Sequence, residues 1–508
     1  ISQVALLTLA GSGLFGVPGT ASRLFGALAR AGINIILITQ GSSEYAISFA
    51  VQPQHARKAK KQVEEEFAYE MDRGIVDPVK VEEDLSVVAI IGENMRYRPG
   101  IAGRLFQALG KNGINATAIA QGSSELNISV VIPRPDEAKA LNALHEAFFL
   151  SDTKEIHLFM IGVGLIGGTL LKQIQEQAAF LKEKRSLEIK VVGLSNTRKM
   201  LLQPEGIDLD NWQEALDASE THADLPIFMA RMKEMNLSNS VFVDNTANEQ
   251  VASHYESILD SSISISTPNK IATSSSYLQY QRLKTIAAKR GVEFHYETNV
   301  GAGLPVISTL NDLINSGDRI RRIEGVLSGS LSFIFNHFDG SRPFSAIVRE
   351  ARERGYTEPD PRTDLSGLDV RRKLLILARE TGLALEANQI EIDQILPEPV
   401  AQAKTVDDFF MALEQHDDHF EKLREAAAGK NQVLRMIASL EGDQAKISLQ
   451  PVDGESPFFF LSGSDNMIVF TTDRYDERPL VVRGPGAGAE VTAAGVFAEI
   501  ITIGNYLS

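Results

Sequence analysis

The strongest constraint on this chain is that it repeats itself. Pro18-Gly19 recurs as Pro99-Gly100, Arg23-Leu24-Phe25 as Arg104-Leu105-Phe106, and Gly32-Ile33-Asn34 as Gly113-Ile114-Asn115. Gln40-Gly41-Ser42-Ser43-Glu44 recurs as Gln121-Gly122-Ser123-Ser124-Glu125. Every pair is 81 residues apart, and 19 of 34 positions are identical between 18–51 and 99–132. A match of that density means a duplicated domain. Each copy reads strand, loop, helix, strand, turn, strand, helix. In the second copy, 85–91 is an apolar run. Pro99 can start a helix because its missing N–H is not needed there. Ile101, Leu105, Ala108 and Leu109 keep helical spacing, and Gly113 stops the helix. The segments 116–120 and 127–132 read as strands around the polar turn. Such a β-α-β-β-α unit of about 75 residues is of the ferredoxin-like kind. Gln40 and Gln121 have two readings. Each is a turn amide that satisfies local backbone, or part of a small-ligand site, since an amide offers both the donor and the acceptor that an amino-acid zwitterion requires.

The 508 residues leave room for three or four domains at about 100–200 residues each. Apolar residues make up 44% and charged residues 23%, the balance of a globular protein. Lys and Arg number 50 against 66 Asp and Glu, a net charge of −16. That balance argues against nucleic acid and anionic membrane as partners. The densest basic run, 55–61, is followed at once by Glu64-Glu65-Glu66. There is no cysteine, which removes disulfides, thiolate catalysis and Cys-ligated metals and fits a reducing cytoplasm. No apolar run reaches the roughly 18 residues that span a bilayer. The chain begins at Ile1 with no signal peptide, so the expectation is a fragment whose upstream part is missing.

A nucleotide-binding unit follows the repeat. The strand-like run 155–161 leads into Gly162-Val163-Gly164-Leu165-Ile166-Gly167-Gly168, then a helix over 169–181 and a second strand over 188–194. In a β-α-β context these glycines permit a tight turn and close pyrophosphate approach at a helix N-terminus. NAD sites usually carry an acid at the end of the second strand. Here the sequence is Ser195-Asn196-Thr197-Arg198-Lys199, cations and hydroxyls that suit a 2′-phosphate. NADPH is therefore favoured, with NADH possible. Short strands at 241–243 and 263–266 end at Asp244-Asn245-Thr246 and Thr267-Pro268-Asn269-Lys270, which places Thr246 and Lys270 toward the cofactor.

Further on, Glu297 to Pro305 is a Gly-rich turn opening a helix. Gly355-Tyr356-Thr357-Glu358-Pro359-Asp360-Pro361 is rigid and acidic. It leads to Asp364-Leu365-Ser366-Gly367-Leu368-Asp369-Val370-Arg371-Arg372-Lys373. Ser366 can N-cap the next helix, which Gly382 ends. Asp369 and Lys373 are i,i+4 and share a helix face. That makes either a surface ion pair or an acid and a lysine able to bind and protonate a polar substrate. The stretch 407–430 reads as a polar helix with His416 and His419 on its solvated face.

Together these motifs, with Gly486-Ala487-Gly488-Ala489-Glu490-Val491-Thr492-Ala493-Ala494-Gly495, resemble the bifunctional aspartokinase–homoserine dehydrogenases. The dehydrogenase resemblance runs from about 155 to 508. The duplicated region looks like the paired ACT regulatory domains of those enzymes. Their Lys-Phe-Gly-Gly kinase signature is absent, so no kinase activity is expected of this chain. The resemblance implies an α/β protein. Tandem ferredoxin-like ACT domains occupy 1–80 and 81–152, and a Rossmann domain occupies 153–300 plus 485–508. An α+β substrate and dimerisation domain with a mixed sheet occupies 301–484. It implies reversible NADPH-linked reduction of L-aspartate 4-semialdehyde to L-homoserine by a homo-oligomer, dimer or tetramer, under feedback by an amino acid, L-threonine before lysine. Lys373 matches the proton donor, and Lys270 the second lysine beside cofactor and substrate. Glu358, Asp369 and Asp364 match substrate binders. Gly162, Gly164, Leu165, Ile166, Gly167, Ser195, Arg198, Thr246, Gly355 and Gly488 are the expected cofactor contacts. Glu297, with the carbonyls of Val300, Ala302 and Leu304, matches a site for a monovalent cation, usually Na+. Gln40 and Gln121 match the regulatory glutamines. The rival expectation is a catalytically dead dehydrogenase that only senses amino acids, and the intact Lys373, Lys270 and Glu358 argue against it.

Overall fold

The computed structural model describes residues 1–41, 45–92, 95–122, 126–148 and 153–506, apart from the Glu146 side chain. The expected polar turns therefore fall partly outside the described residues, at 42–44 and 123–125. The chain divides into two units, Ile1–Lys154 with Lys233–Asn239, and Glu155–Met232 with Ser240–Ser508.

The first unit is built on one antiparallel sheet of order β2-β3-β1-β4-β6-β5. Its strands are β1 (Val4–Ala10), β2 (Leu37–Gln40), β3 (Ala46–Val51), β4 (Lys80–Ile91), β5 (Ala118–Gln121) and β6 (Asn127–Pro133). Helices Thr20–Arg30, Pro53–Glu66, Ile101–Lys111 and Glu137–Phe148 complete the two copies. β4 is longer than its apolar run. Its start pairs with β1 (Leu7 opposite Val81), and its remainder pairs with β6 (Val87 opposite Val131), so one strand closes the first copy and opens the second. β1 is apolar on both faces. Ala5, Leu7 and Leu9 join the core that holds Leu24, Leu28, Ala59 and Val63 of the helices. Val4 and Leu6 join Leu85, Val87 and Val131 in a separate core. Pro99 does not open its helix. Gly100 is the N-cap, with φ of 92°, and the helix starts at Ile101, so the proline only shapes the approach.

The second unit holds two sheets. One has the order β12-β11-β10-β7-β8-β9, from β7 (Lys154–Ile161), β8 (Leu187–Ser195), β9 (Met200–Leu202), β10 (Ser240–Asp244), β11 (Ser264–Ser266) and β12 (Phe294–His295). β7, β10, β11 and β12 run parallel, and β9 is antiparallel to β8. The chain leaves β7 for β8 on one side and later places β10 on the other. The switch point, where open sheets bind ligands, is thus at the carboxyl ends of β7 and β10. The C-terminal helix, Ala489–Tyr506, returns to this sheet. Ala493, Val496, Ile500 and Ile503 share one core with Ile156, Leu158 and Met160 of β7.

The other sheet has the order β14-β16-β15-β13-β17-β18, from β13 (Ile320–Val326), β14 (Glu391–Ile392), β15 (Val433–Glu441), β16 (Gln444–Val452), β17 (Asp465–Thr472) and β18 (Leu480–Pro485). It is mixed: antiparallel except for β14 beside β16. Helix Leu368–Glu380 packs on β15 and β16. The expected helix at 407–430 is two, Val406–Glu414 and Asp417–Ala428, broken where the His416 ring turns back to the Ala412 carbonyl at 2.7 Å. Among the described residues no helix is long and apolar enough to cross a membrane.

Candidate active site

The glycine loop closes tightly. A Cβ on Gly167 would lie 2.1 Å from the Gly162 carbonyl oxygen, and Gly162 itself has φ of 91°. To bring Gly167 back against Gly162 the chain must already be helical. The helix therefore runs over Leu165–Arg185, starting four residues before the expected 169, with Gly164 as N-cap. Nothing lies within 4 Å of a Cβ on Gly164, so this side of the loop is open. Leu165 is exposed and Ile166 half-buried.

Beside the loop stands a hub that sequence reasoning missed. Asp244, fully buried, accepts from Tyr255 Oη at 2.7 Å, Asn269 Nδ2 at 2.9 Å and the Thr246 N–H at 2.8 Å. Thr267 Oγ1 donates to its carbonyl at 2.8 Å. One carboxyl thus fixes the ends of β10 and β11, with Thr246 on one and Lys270 just beyond the other. Burial pushes this carboxyl up, against the pull of its donors. No spacing in the sequence marks it, because its partners lie up to 25 residues away.

The end of β8 is less open than expected. Ser195 is buried, and its hydroxyl lies against the carbonyls of Asn196 and Lys199 at 3.2 and 3.4 Å. Lys199 donates to the Ser219 carbonyl at 2.6 Å. Only Arg198 of the three is exposed, with its N–H held by Asn196 Oδ1 at 2.7 Å.

Asp369 links the two lysines. Its carboxylate lies 2.8 Å from Lys373 Nζ and 3.6 Å from Lys270 Nζ. The Lys373 side chain is 10% exposed, that of Asp369 50%. Crowding by the cleft acts to raise the Asp369 carboxyl, but Lys373 and then Lys270 outweigh it and hold it well below the usual carboxylate range. Burial lowers the Lys270 ammonium, with Asp369 opposing the shift. Helix Leu368–Glu380 begins at Leu368 with Gly367 at the cap, φ 69°; Ser366 is not the cap, and its hydroxyl donates to the Thr363 carbonyl at 2.7 Å. The far end of this helix is anchored as firmly. The fully buried Arg379 guanidinium donates to the carbonyls of Thr273 at 2.8 Å and Ser275 at 2.7 Å, just beyond Lys270. Glu380 accepts from Tyr280 Oη at 2.7 Å and Tyr296 Oη at 2.5 Å.

The Glu358 loop is fixed differently. Asp364 accepts from Ser330 Oγ at 2.7 Å through one oxygen and from the Glu358 N–H at 2.9 Å through the other. Both its oxygens serve the loop, so Asp364 is a brace for Glu358 rather than an open carboxylate; Glu358 is exposed. The same Ser330 hydroxyl lies 2.7 Å from the Tyr356 carbonyl. Segment Leu327–Ser330 joins this cluster to the lysines, because the Leu327 carbonyl accepts from Lys373 Nζ at 2.6 Å. Gly355, with φ of 73°, precedes Tyr356, and Gly488, with φ of 122°, precedes the C-terminal helix.

Glu297 has a structural duty. Its Oε1 accepts from the N–H groups of Val306 at 2.7 Å and Ile307 at 2.6 Å, and its Oε2 from Ser308 at 2.8 Å. It thereby caps helix Ile307–Asn315. Burial raises this carboxyl, and the three donors work against that. The Leu304 carbonyl accepts from Val306 at 2.9 Å. Val300 and Ala302 could add only carbonyl oxygens to these, hard donors that would suit an alkali cation rather than a transition metal.

In the first unit, Gln40 and Gln121 occupy the same place, the last residue of β2 and of β5, opposite Ile47 and Ile128. Gln121 lines a cavity of about 340 Å³ with Arg98, Gly100 and Ile101. Where the second copy has Arg96-Tyr97-Arg98, the first has Phe15-Gly16-Val17, so the two surroundings differ chemically.

A doubly wound sheet with an open glycine loop, joined to a lysine–aspartate–lysine array, defines a dinucleotide-linked oxidoreductase. Family models match the homoserine dehydrogenase NAD-binding domain over 162–297, homoserine dehydrogenase over 305–501, and the ACT domain over 7–67 and again over 88–148. A homoserine dehydrogenase of Schizosaccharomyces pombe is 38% identical over 358 residues, 68% of this chain and 95% of that protein. The chloroplastic bifunctional aspartokinase/homoserine dehydrogenase 2 of Zea mays is 44% identical over 510 residues. That match takes in all of this chain, which spans 56% of the maize protein's length. A hyperthermophilic archaeal homoserine dehydrogenase solved in complex with NADPH shares the fold (TM-score 0.54, 21% identity, 69% of this chain and 98% of that one). The chain belongs to the homoserine dehydrogenase family, in the form that carries a tandem ACT pair.

Proposed function

We propose that this chain catalyses the reversible, NADPH-linked reduction of L-aspartate 4-semialdehyde to L-homoserine. The observation that carries the reading is Asp369 standing between Lys373 and Lys270. Bound NADPH would supply the hydride for the C4 aldehyde carbon. Lys373 gives its proton to the oxygen on which charge grows, and Lys270 orients that oxygen. Glu358 and Asp369 hold the substrate ammonium by charge-assisted hydrogen bonds. Asp364 acts one step back, by fixing Glu358. The cofactor would lie along Gly162–Gly167, Thr246, Gly355 and Gly488. An alkali cation, Na+ by preference, would be held by Glu297 and the carbonyls of Val300, Ala302 and Leu304, to fix the turn. Loss of NADPH absorbance on adding the semialdehyde tests the whole reading. A chain that binds threonine yet oxidises no NADPH would be the sensing module instead.

The proposed partition is the two ACT domains at 1–80 and 81–152, the Rossmann domain at 153–300 with 485–508, and the substrate domain at 301–484. The assembly proposed is a homo-oligomer. The compartment proposed is the cytoplasm, with the chloroplast of the maize relative as the alternative.

Cofactor choice rests on Arg198, since Ser195 and Lys199 are spent on backbone. Arg198→Ala should raise KM for NADPH about tenfold, the scale of one charge-assisted contact, and spare NADH. Equal losses for both cofactors would take the 2′-phosphate away from Arg198.

The regulatory ligand proposed is L-threonine, bound beside Gln40 and Gln121. It must bind two conformations unequally to inhibit. Threonine should lower dehydrogenase activity, and Gln40→Ala or Gln121→Ala should relieve it, as read by calorimetric titration alongside the assay. Unchanged threonine binding in both variants would return the glutamines to plain turn residues.

A further inference from the structure

The Lys373 ammonium is aimed by more than its ion pair. The Leu327 carbonyl oxygen that accepts from Lys373 Nζ at 2.6 Å takes a second hydrogen bond, from Asn466 Nδ2 at 3.2 Å. Leu327 directly follows β13, and Asn466 lies on the neighbouring antiparallel strand β17, where Val326 stands opposite Met467. The two strand ends thus place the amide against the carbonyl. Asn466 is fully buried. It is also pinned from a further side. A Cβ on Gly486 would fall 2.0 Å from its Cγ, 2.1 Å from Nδ2 and 2.5 Å from Oδ1, so the backbone at 486 lies directly on the amide.

The Oδ1 of Asn466 is buried with no hydrogen-bond partner among the described residues. A buried acceptor left so is destabilising, and an apolar side chain of the same shape would avoid the penalty. Packing alone therefore does not explain an asparagine here. What the amide adds is its N–H on the Leu327 carbonyl. That carbonyl sits at a change of direction, between β13 and the cap residue Ser328 of helix Gly329–His337, and it is an uncharged acceptor for Lys373.

We propose that Asn466 is a positioning residue for the proton donor. It fixes the Leu327 carbonyl, the carbonyl fixes the Lys373 ammonium, and the contact with Gly486 ties that aim to the 486–488 segment. The inference rests on Lys373 being the proton donor.

The test is a double-mutant cycle in the full chain, with kcat, the KM for each substrate and the melting temperature measured. Asn466→Ala removes the amide. Asn466→Leu keeps roughly its shape and removes both the donor and the unpaired acceptor, which covers the case in which the alanine variant fails to fold. Each should lower kcat by about 5- to 50-fold, inside the span of coupling between residues in one hydrogen-bond network, with both KM values little changed. In a Lys373→Ala background neither should lower kcat further. Equal losses in both backgrounds, or full kcat in both single variants, would overturn the proposal. Normal turnover in Lys373→Ala alone would overturn the proton-donor reading itself, before Asn466 is considered.

Discussion

Lys373→Ala is expected to lower turnover by about 10²- to 10⁴-fold, the usual contribution of a positioned general acid. The side chain is 10% exposed, and its ammonium is held at 2.8 Å by Asp369 and at 2.6 Å by the Leu327 carbonyl. Those two bonds use two of its three N–H groups and leave the third to transfer. Alanine removes the donor but disturbs little else. Asp369 keeps Lys270 at 3.6 Å and half of its own surface in solvent, so no charge is stranded. NADPH affinity should change less than about threefold, within what a remote substitution does. Steady-state kinetics with a separate NADPH titration read the two effects apart. Near-normal turnover would move the proton to Lys270 or to water. The pairing should also survive mild acid. The Asp369 carboxyl is depressed in the folded chain, so its stabilising effect is present above the ordinary carboxylate value and fades only as pH falls through the depressed one. An acidic limb in the pH–rate profile near the ordinary carboxylate range would have to come from another group.

The parts of this molecule legible in sequence are those whose signal is local. The duplication needs only an offset of 81, and the glycine loop, its flanking strands and the i,i+4 pair Asp369–Lys373 are all short-range patterns. What escaped is long-range. The Asp244 hub, the Arg379 clamp on Thr273 and Ser275, and the Glu380 acceptor for Tyr280 and Tyr296 each join residues 11 to 106 positions apart. A lone buried charge carries no spacing, so it reads as an ordinary helix or strand residue until its partners are seen. Local chemistry also misled where two groups compete for one task. Ser366 is a good cap by type, yet Gly367 takes the position because the chain must reverse there, and a left-handed backbone suits glycine. Ser195 and Lys199 looked like phosphate ligands, but a carbonyl close by claims each of them first.

The glycine loop supports a second large effect, because two of its glycines should fail for different reasons. At Gly167 an added methyl would meet the Gly162 carbonyl oxygen at 2.1 Å, and backbone cannot step aside cheaply. Gly167→Ala must push the helix Leu165–Arg185 off the loop. Overpacking of that kind costs about 1–3 kcal/mol, so the melting temperature of the second unit should fall, and NADPH affinity should drop by about 10- to 100-fold as the loop opens. At Gly164 nothing lies within 4 Å of the added methyl, so no atom is struck, but its φ of −72° with ψ of −146° lies outside the α and β regions that suit a residue with a Cβ. Gly164→Ala should lower the melting temperature less than Gly167→Ala, since it adds backbone strain but no clash. It should still weaken NADPH, because the second glycine of such a loop is where backbone and pyrophosphate approach most closely. Differential scanning calorimetry and cofactor titration on the two variants separate a glycine needed for the fold from one needed for the ligand. If Gly164→Ala bound NADPH as tightly as the parent chain, the pyrophosphate would have to sit elsewhere than on this helix N-terminus.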